Sequence, residues 1–229
     1  MRETICTIPV NEVFEVVDGC PICRMRDIIE AKYIDYITGA AMMEPDIRQE
    51  TNKIGFCERH FTGMLELGRQ RLPICLMLET HLEQVGKTML AAPDSSSLKK
   101  LEKLEGTCFV CDAIETHLAR ALDTVYRTYK SEEEFRAMFA QQEYICLPHY
   151  RRLLTEGKKR LGSSYSEFAK KANELASAQY RRLYDELKGF EDAFDHRNAG
   201  KPMAESSRDS IERTMQFMTS RYPRPAKKQ

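Results

Sequence analysis

Cys20-Pro21-Ile22-Cys23 decides how this chain reads, because it has a partner downstream in Cys57-Glu58-Arg59-His60. The same two motifs recur as Cys108-Phe109-Val110-Cys111 and Cys146-Leu147-Pro148-His149. Two Cys-x2-Cys and Cys-x2-His sets in one chain are the spacing of two four-ligand metal sites. The expected grouping follows the order of the chain. Cys20, Cys23, Cys57 and His60 would hold one ion, and Cys108, Cys111, Cys146 and His149 a second. A disulfide framework gives no reason for a histidine three residues after Cys57 and again after Cys146, and it suits short secreted domains rather than 229 residues.

The motifs repeat at a nearly fixed interval. Cys20 to Cys108 is 88 residues, and Cys57 to Cys146 and His60 to His149 are 89. Beyond the ligands, Phe61, Leu65, Gly68 and Leu72 fall on Tyr150, Leu154, Gly157 and Leu161. Matching punctuation at one period reads as an internal duplication. The expected organisation is a first helical zinc-binding repeat over 1–92, a linker over 93–97, a second repeat over 98–195, and a C-terminal helix with a basic tail over 196–229.

Secondary structure follows from the joints. Asn11 reads as the cap of a short helix that Asp18-Gly19 ends. Pro21 suits the first turn of the next helix, where its missing N–H costs nothing. Ile22, Met25, Ile29, Tyr33, Tyr36 and Ala40 then recur at helical spacing. Glu44-Pro45-Asp46 breaks that helix, a short one runs to about Asn52, and Cys57 opens another that Gly68 closes. Pro73 starts a long helix through Leu90, and Ser97 and Ser131 read as caps of later ones. From about Ser164 a stripe of Phe168, Ala172, Leu175, Ala176, Leu183, Leu187, Phe190 and Phe194 marks the longest helix. Ile211, Met215 and Met218 are expected to face inward from the last. No segment alternates as a strand does, so the fold class is all-α.

Composition excludes several functions. Lysine plus arginine and aspartate plus glutamate each number 35, so no net field draws the chain to nucleic acid, and the tail from Arg213 is its one basic stretch. No apolar run reaches the ~20 residues of a membrane span. The start, Met1-Arg2-Glu3-Thr4-Ile5, does not read as a secretory signal. The expectation is a cytoplasmic protein with its thiols reduced.

Each ligand pair falls where a helix begins, and free N–H groups and the helix dipole there favour thiolates. Four protein ligands leave no position for water or substrate, so both sites read as structural zinc, two per chain. An iron–sulfur cluster is the alternative. A thioredoxin-type dithiol would need a preceding strand, and haem attachment would need histidine where Arg24 and Asp112 stand. Flanking charge separates the two expected sites, Arg24 and Arg59 against Asp112, and the second is expected to lose metal to oxidant first. Cys6 and Cys75 read as buried small side chains. His81 and His117 read as histidines at the edge of the core, and Asp195-His196-Arg197 as a hydrogen-bonded turn. No catalytic residue is assigned, and an enzyme is disfavoured. The favoured function is an interaction or regulatory scaffold with a protein partner. The alternatives are a redox or metal sensor and an enzyme whose active site lies between the repeats and uses His117 or His196.

The opening Thr7-Ile8-Pro9-Val10-Asn11-Glu12-Val13-Phe14-Glu15, the Cys20 motif, Asp46-Ile47-Arg48-Gln49-Glu50-Thr51-Asn52-Lys53 before Gly55-Phe56-Cys57, the Cys146 motif and Phe194-Asp195-His196-Arg197-Asn198 together resemble an uncharacterised bacterial family. That family is a domain of unknown function found mainly in anaerobes, and the resemblance spans nearly the whole chain. It implies a bacterial, intracellular protein and brings no activity, substrate or partner with it.

Overall fold

The computed structural model describes residues 7–39, 41, 44–66, 71–198 and 202–222. Helices account for the secondary structure of the described residues, with no strand among them. In chain order they are α1 (Ile8–Glu15), α2 (Pro21–Thr38), α3 (Pro45–Ile54), α4 (Glu58–Glu66), α5 (Arg71–Thr88), α6 (Ser95–Glu105), α7 (Phe109–Ser131), α8 (Glu133–Ala140), α9 (Leu147–Arg160), α10 (Tyr165–Ala193) and α11 (Ser210–Thr219). None is long and apolar enough to cross a membrane.

The chain divides into two compact units that interleave along the sequence. One is Met1–Met25 with Arg120–Gln229, and the other is Arg26–Ala119. The helices α2 and α7 each begin in one unit and end in the other. The compact units are therefore a different partition of the chain from its two sequence halves.

In the first unit, aromatic side chains build the core. Phe14 of α1 lies 4.9 Å from Phe135 and 5.9 Å from Phe139 of α8, and Phe168 of α10 is 4.9 Å from both Tyr129 and Phe139. Stacked, tilted and edge-on rings at these distances add to their area burial. Gly157 lets α9 approach this cluster, since a Cβ there would stand 3.3 Å from Tyr126 and Leu161. The second unit packs α3 against α5. Its core holds Ile37, Met64, Ile74, Met77, Val110 and Ile114.

Several local expectations change. Thr7, not Asn11, precedes α1, because Pro9 suits the first turn, and Asn11 is buried on the inner face. Asp94 caps α6 by accepting the Ser97 backbone N–H at 2.8 Å, so Ser97 lies inside the helix. Ser131 is the last residue of α7 rather than a cap, and its hydroxyl donates back to the Arg127 carbonyl. On α11 the inward residues are Ser210 and Phe217, whereas Ile211, Met215 and Met218 are exposed. Phe194, at the end of the α10 stripe, is also exposed. Cys75 is exposed as well, because Ile74 and Met77 occupy the inner face of α5. Cys6, Gly68 and the end of the basic tail lie outside the described residues.

Candidate metal centres

All four ligand pairs sit at helix N-termini, as their sequences require. Cys20 precedes Pro21 at the start of α2, and Cys57, Cys108 and Cys146 precede α4, α7 and α9. The second ligand of each pair lies in the first helical turn, three residues on, where it points the same way as the first. Two glycines with positive φ turn the chain into these corners. Gly19 has φ +68° just before Cys20, and its N–H donates to Glu143 Oε2 at 2.7 Å. Gly55 has φ +70° before Cys57, and its carbonyl accepts the Phe109 N–H at 2.9 Å. A Cβ on Gly55 would stand 2.8 Å from Leu104. Glycine meets both needs at once.

The eight predicted residues do come together, but in the other grouping. Cys20, Cys23, Cys146 and His149 form one cluster, and Cys57, His60, Cys108 and Cys111 form the second, each with its ligand atoms within 4.8 Å of one another. The expectation that Cys20 and Cys23 share an ion with Cys57 and His60 is corrected. Each cluster takes its Cys-x2-Cys from one half of the sequence and its Cys-x2-His from the other. Long-range hydrogen bonds beside the ligands accompany this grouping. The Gly19 N–H binds Glu143, three residues before Cys146, and the Gly55 carbonyl binds the first turn of α7, next to Cys108. Thr107 reinforces the latter by donating to the Ile54 carbonyl at 2.7 Å.

The donors suit a tetrahedral ion. With Zn–S bonds of ~2.3 Å, the edges of the tetrahedron are ~3.8 Å. Cys23 and Cys146 sulfurs are 3.6 Å apart, Cys57 and Cys111 sulfurs 4.0 Å. The His149 Nδ1 lies 3.1 to 3.6 Å from Cys20, Cys23 and Cys146, and the His60 Nδ1 lies 3.1 to 3.5 Å from Cys57, Cys108 and Cys111. Three sulfurs and one imidazole nitrogen are a donor set for zinc or for an iron–sulfur centre.

Glu30, which the sequence motifs did not flag, completes one cluster. Its Oε1 lies 3.0 Å from His60 Nε2, and the same carboxylate accepts two bonds from Arg59 at 2.8 and 2.9 Å. A carboxylate behind a ligating histidine fixes the tautomer and raises the basicity of the facing nitrogen. The signal was an acid on the inner side of α2, two turns after Cys23. At the corresponding place after Cys111 stands Leu118, which is buried and apolar.

Electrostatics in the metal-free chain point the same way. Burial pushes the His60 imidazole down, but hydrogen bonds to Cys108 and Glu30 outweigh it and hold His60 at about 10. Burial pushes the Cys108 thiol up, and the bond from His60 with two backbone contacts pulls it to about 6. Partial burial of its sulfur and the negative Cys108 raise Cys111. In the other cluster burial raises Cys20, yet hydrogen bonds from Cys146, Cys23 and His149 leave it well below the ordinary thiol value, while those bonds to Cys20 and Cys23 raise Cys146. In each cluster one thiol, Cys20 or Cys108, is thus drawn toward the thiolate form that a metal binds.

The clusters differ in access. All four residues of the Cys20 cluster are buried, whereas Cys111 is exposed and Cys57 half-buried. The flanking charges regroup with the ligands: Arg24 borders the buried cluster, and Arg59 and Asp112 both border the other. The other histidines hold structure. His81 Nδ1 lies 3.1 Å from the Asn52 carbonyl, His117 Nε2 lies 2.7 Å from the Tyr33 hydroxyl, and His196 is exposed in a turn where Arg197 pairs with Asp195.

A family model matches residues 1–225. The chain belongs to that family, described as a family of unknown function (DUF6062). Its model spans both Cys-x2-Cys and both Cys-x2-His motifs, so the match covers both clusters. No significant match to a curated protein or to a solved structure was found.

Proposed function

We propose that this DUF6062 protein carries two structural zinc ions and serves as a non-catalytic interaction or regulatory scaffold in a reducing, cytoplasmic setting. The observation that carries the reading is the closed donor set: three thiolates and an imidazole satisfy a tetrahedral ion and leave no position for substrate. The duplication read from the sequence fits, since each half supplies one Cys-x2-Cys and one Cys-x2-His pair and each cluster takes one pair from either half. Zinc at such sites is worth roughly 10–16 kcal/mol in apparent terms, against a whole-domain stability of about 5–15 kcal/mol. Elemental analysis and a visible spectrum of anaerobically purified protein test this. The expected result is two zinc per chain, no colour, and loss of helicity on chelation. Brown protein containing iron, or full helicity after complete metal removal, overturns it.

The exposure of Cys111 favours a second reading, a redox sensor at the Cys57 cluster. A hydroperoxide and two protons would take two electrons from the Cys57 and Cys111 thiolates, whose sulfurs are 4.0 Å apart. Their S–S bond forms, alcohol and water leave, and the ion loses two of its four ligands. Peroxide titration against a zinc-binding dye would then release one equivalent early and the second late.

A further inference from the structure

An open cleft of about 630 Å³ lies within the Arg26–Ala119 unit, between α2, α3 and the start of α7. Its size is that of a small-molecule site. Three aromatic rings form its apolar wall. Tyr33 meets Tyr36 edge-on at 6.4 Å and 87°, and meets Phe109 at 6.3 Å and 62°. The rings are held in place. The Tyr33 hydroxyl pairs with His117 Nε2 at 2.7 Å, and the Tyr36 hydroxyl donates to Glu44 Oε2 at 2.7 Å.

The charge around these rings is uneven. Glu50 and Asp112 line the cleft, and Glu44 stands behind the Tyr36 hydroxyl, against the single lysine Lys32. Aromatic faces attract cations and repel anions, and a phenol donating to a carboxylate presents a more electron-rich face. The bond to Glu44 is strong enough to hold the Tyr36 hydroxyl up at about 12. Among the described lining residues, an anionic ligand would have one lysine, Lys32, to attract it and two carboxylates to repel it. A small organic cation would find aromatic rings and carboxylates together in the lining.

We propose that this cleft binds a small organic ammonium ion, its alkylated nitrogen against the Tyr33, Tyr36 and Phe109 rings and its charge facing Glu50 and Asp112. None of the residues lining the cleft belongs to either cysteine–histidine cluster. Asp112 directly follows Cys111, so a bound cation would sit one residue from the exposed ligand of the Cys57 cluster.

The test uses the metal-loaded protein and three probes of one shape and size class: benzyltrimethylammonium, its uncharged carbon isostere neopentylbenzene, and phenylacetate. Titrations followed by NMR of the tyrosine and histidine rings should show saturable shifts at Tyr33, Tyr36 and His117 with the cation, and binding at least roughly tenfold weaker for the other two. Glu50→Gln and Tyr36→Leu, each checked for unchanged helicity and metal content, should weaken the cation by about threefold to tenfold. Equal binding of the neutral isostere makes the cleft merely apolar and overturns the proposal. So does preference for phenylacetate, absence of saturation, or indifference to both substitutions.

Discussion

Glu30 stands between a permanent cation and a metal-facing imidazole, and removing its charge separates the two clusters experimentally. Glu30→Gln keeps the shape but weakens the acceptor opposite His60 Nε2. Loss of such outer partners typically costs about 10–100-fold in metal affinity. Competition with a chromophoric chelator should turn biphasic in the variant, with one ion weakened by that factor and the other unchanged. A uniform loss at both ions would show that Glu30 acts on the fold instead. Tyrosines give a second handle at this scale. Burial holds the Tyr129 hydroxyl up at about 12, and burial likewise raises Tyr126 further. A group raised on folding contributes stability that is complete below its unfolded value, about 10 for tyrosine, and lost as pH climbs through its folded value. Unfolding midpoints should therefore fall between about pH 10 and 12, with tyrosinate absorbance from these residues appearing only as the chain unfolds. A smooth titration of all ten tyrosines in the folded chain would contradict this.

At the scale of elements, the ligand pairs were legible because each is a local matter. A cysteine before a helix and a second ligand three residues on follow from helix geometry alone, and Pro21 and Pro148 mark the starts. Which pair meets which is not local. Both groupings satisfy the same spacing rules, and the choice goes with long-range hydrogen bonds such as the Gly19 N–H to the Glu143 carboxylate and the Phe109 N–H to the Gly55 carbonyl, which leave no periodic trace in the sequence. Glu30 was illegible for the same reason, since its meaning depends on α4 crossing beside α2. The helix starts missed by the sequence reading lie close to the residues it chose: Asp94 caps α6 three residues before Ser97, and Glu132, which makes no side-chain capping bond, precedes α8 one residue after Ser131. Paired substitutions test the grouping directly. Cys20→Ser with Cys146→Ser should leave one metal per chain, because both act on one cluster. Cys20→Ser with Cys57→Ser should leave none tightly held. The opposite counts would restore the grouping by sequence order.

Over the whole molecule, the all-α class was readable from the apolar spacing, whereas the division into units was not. The sequence halves meet near Pro93, but the compact units change over inside α2 and α7, at Met25 and Ala119. A helix hides such a boundary, since its hydrophobic stripe continues while the neighbours it packs against change. The aromatic core of the first unit depends on this arrangement, because Phe14 from the start of the chain packs on Phe135 and Phe139.

The ligands open and close like brackets, the Cys57 set nested inside the Cys20 set. An ion held by the inner cluster would tie His60 to Cys108 across 48 residues, and one held by the outer cluster would tie Cys23 to Cys146 across 123. Once the inner loop is tied, the outer closure has 48 fewer residues of slack to gather. Closure entropy grows only with the logarithm of loop length, so the saving is roughly half a kcal/mol. By linkage the benefit is mutual. The connectivity of the chain alone would thus make each ion help the other only slightly.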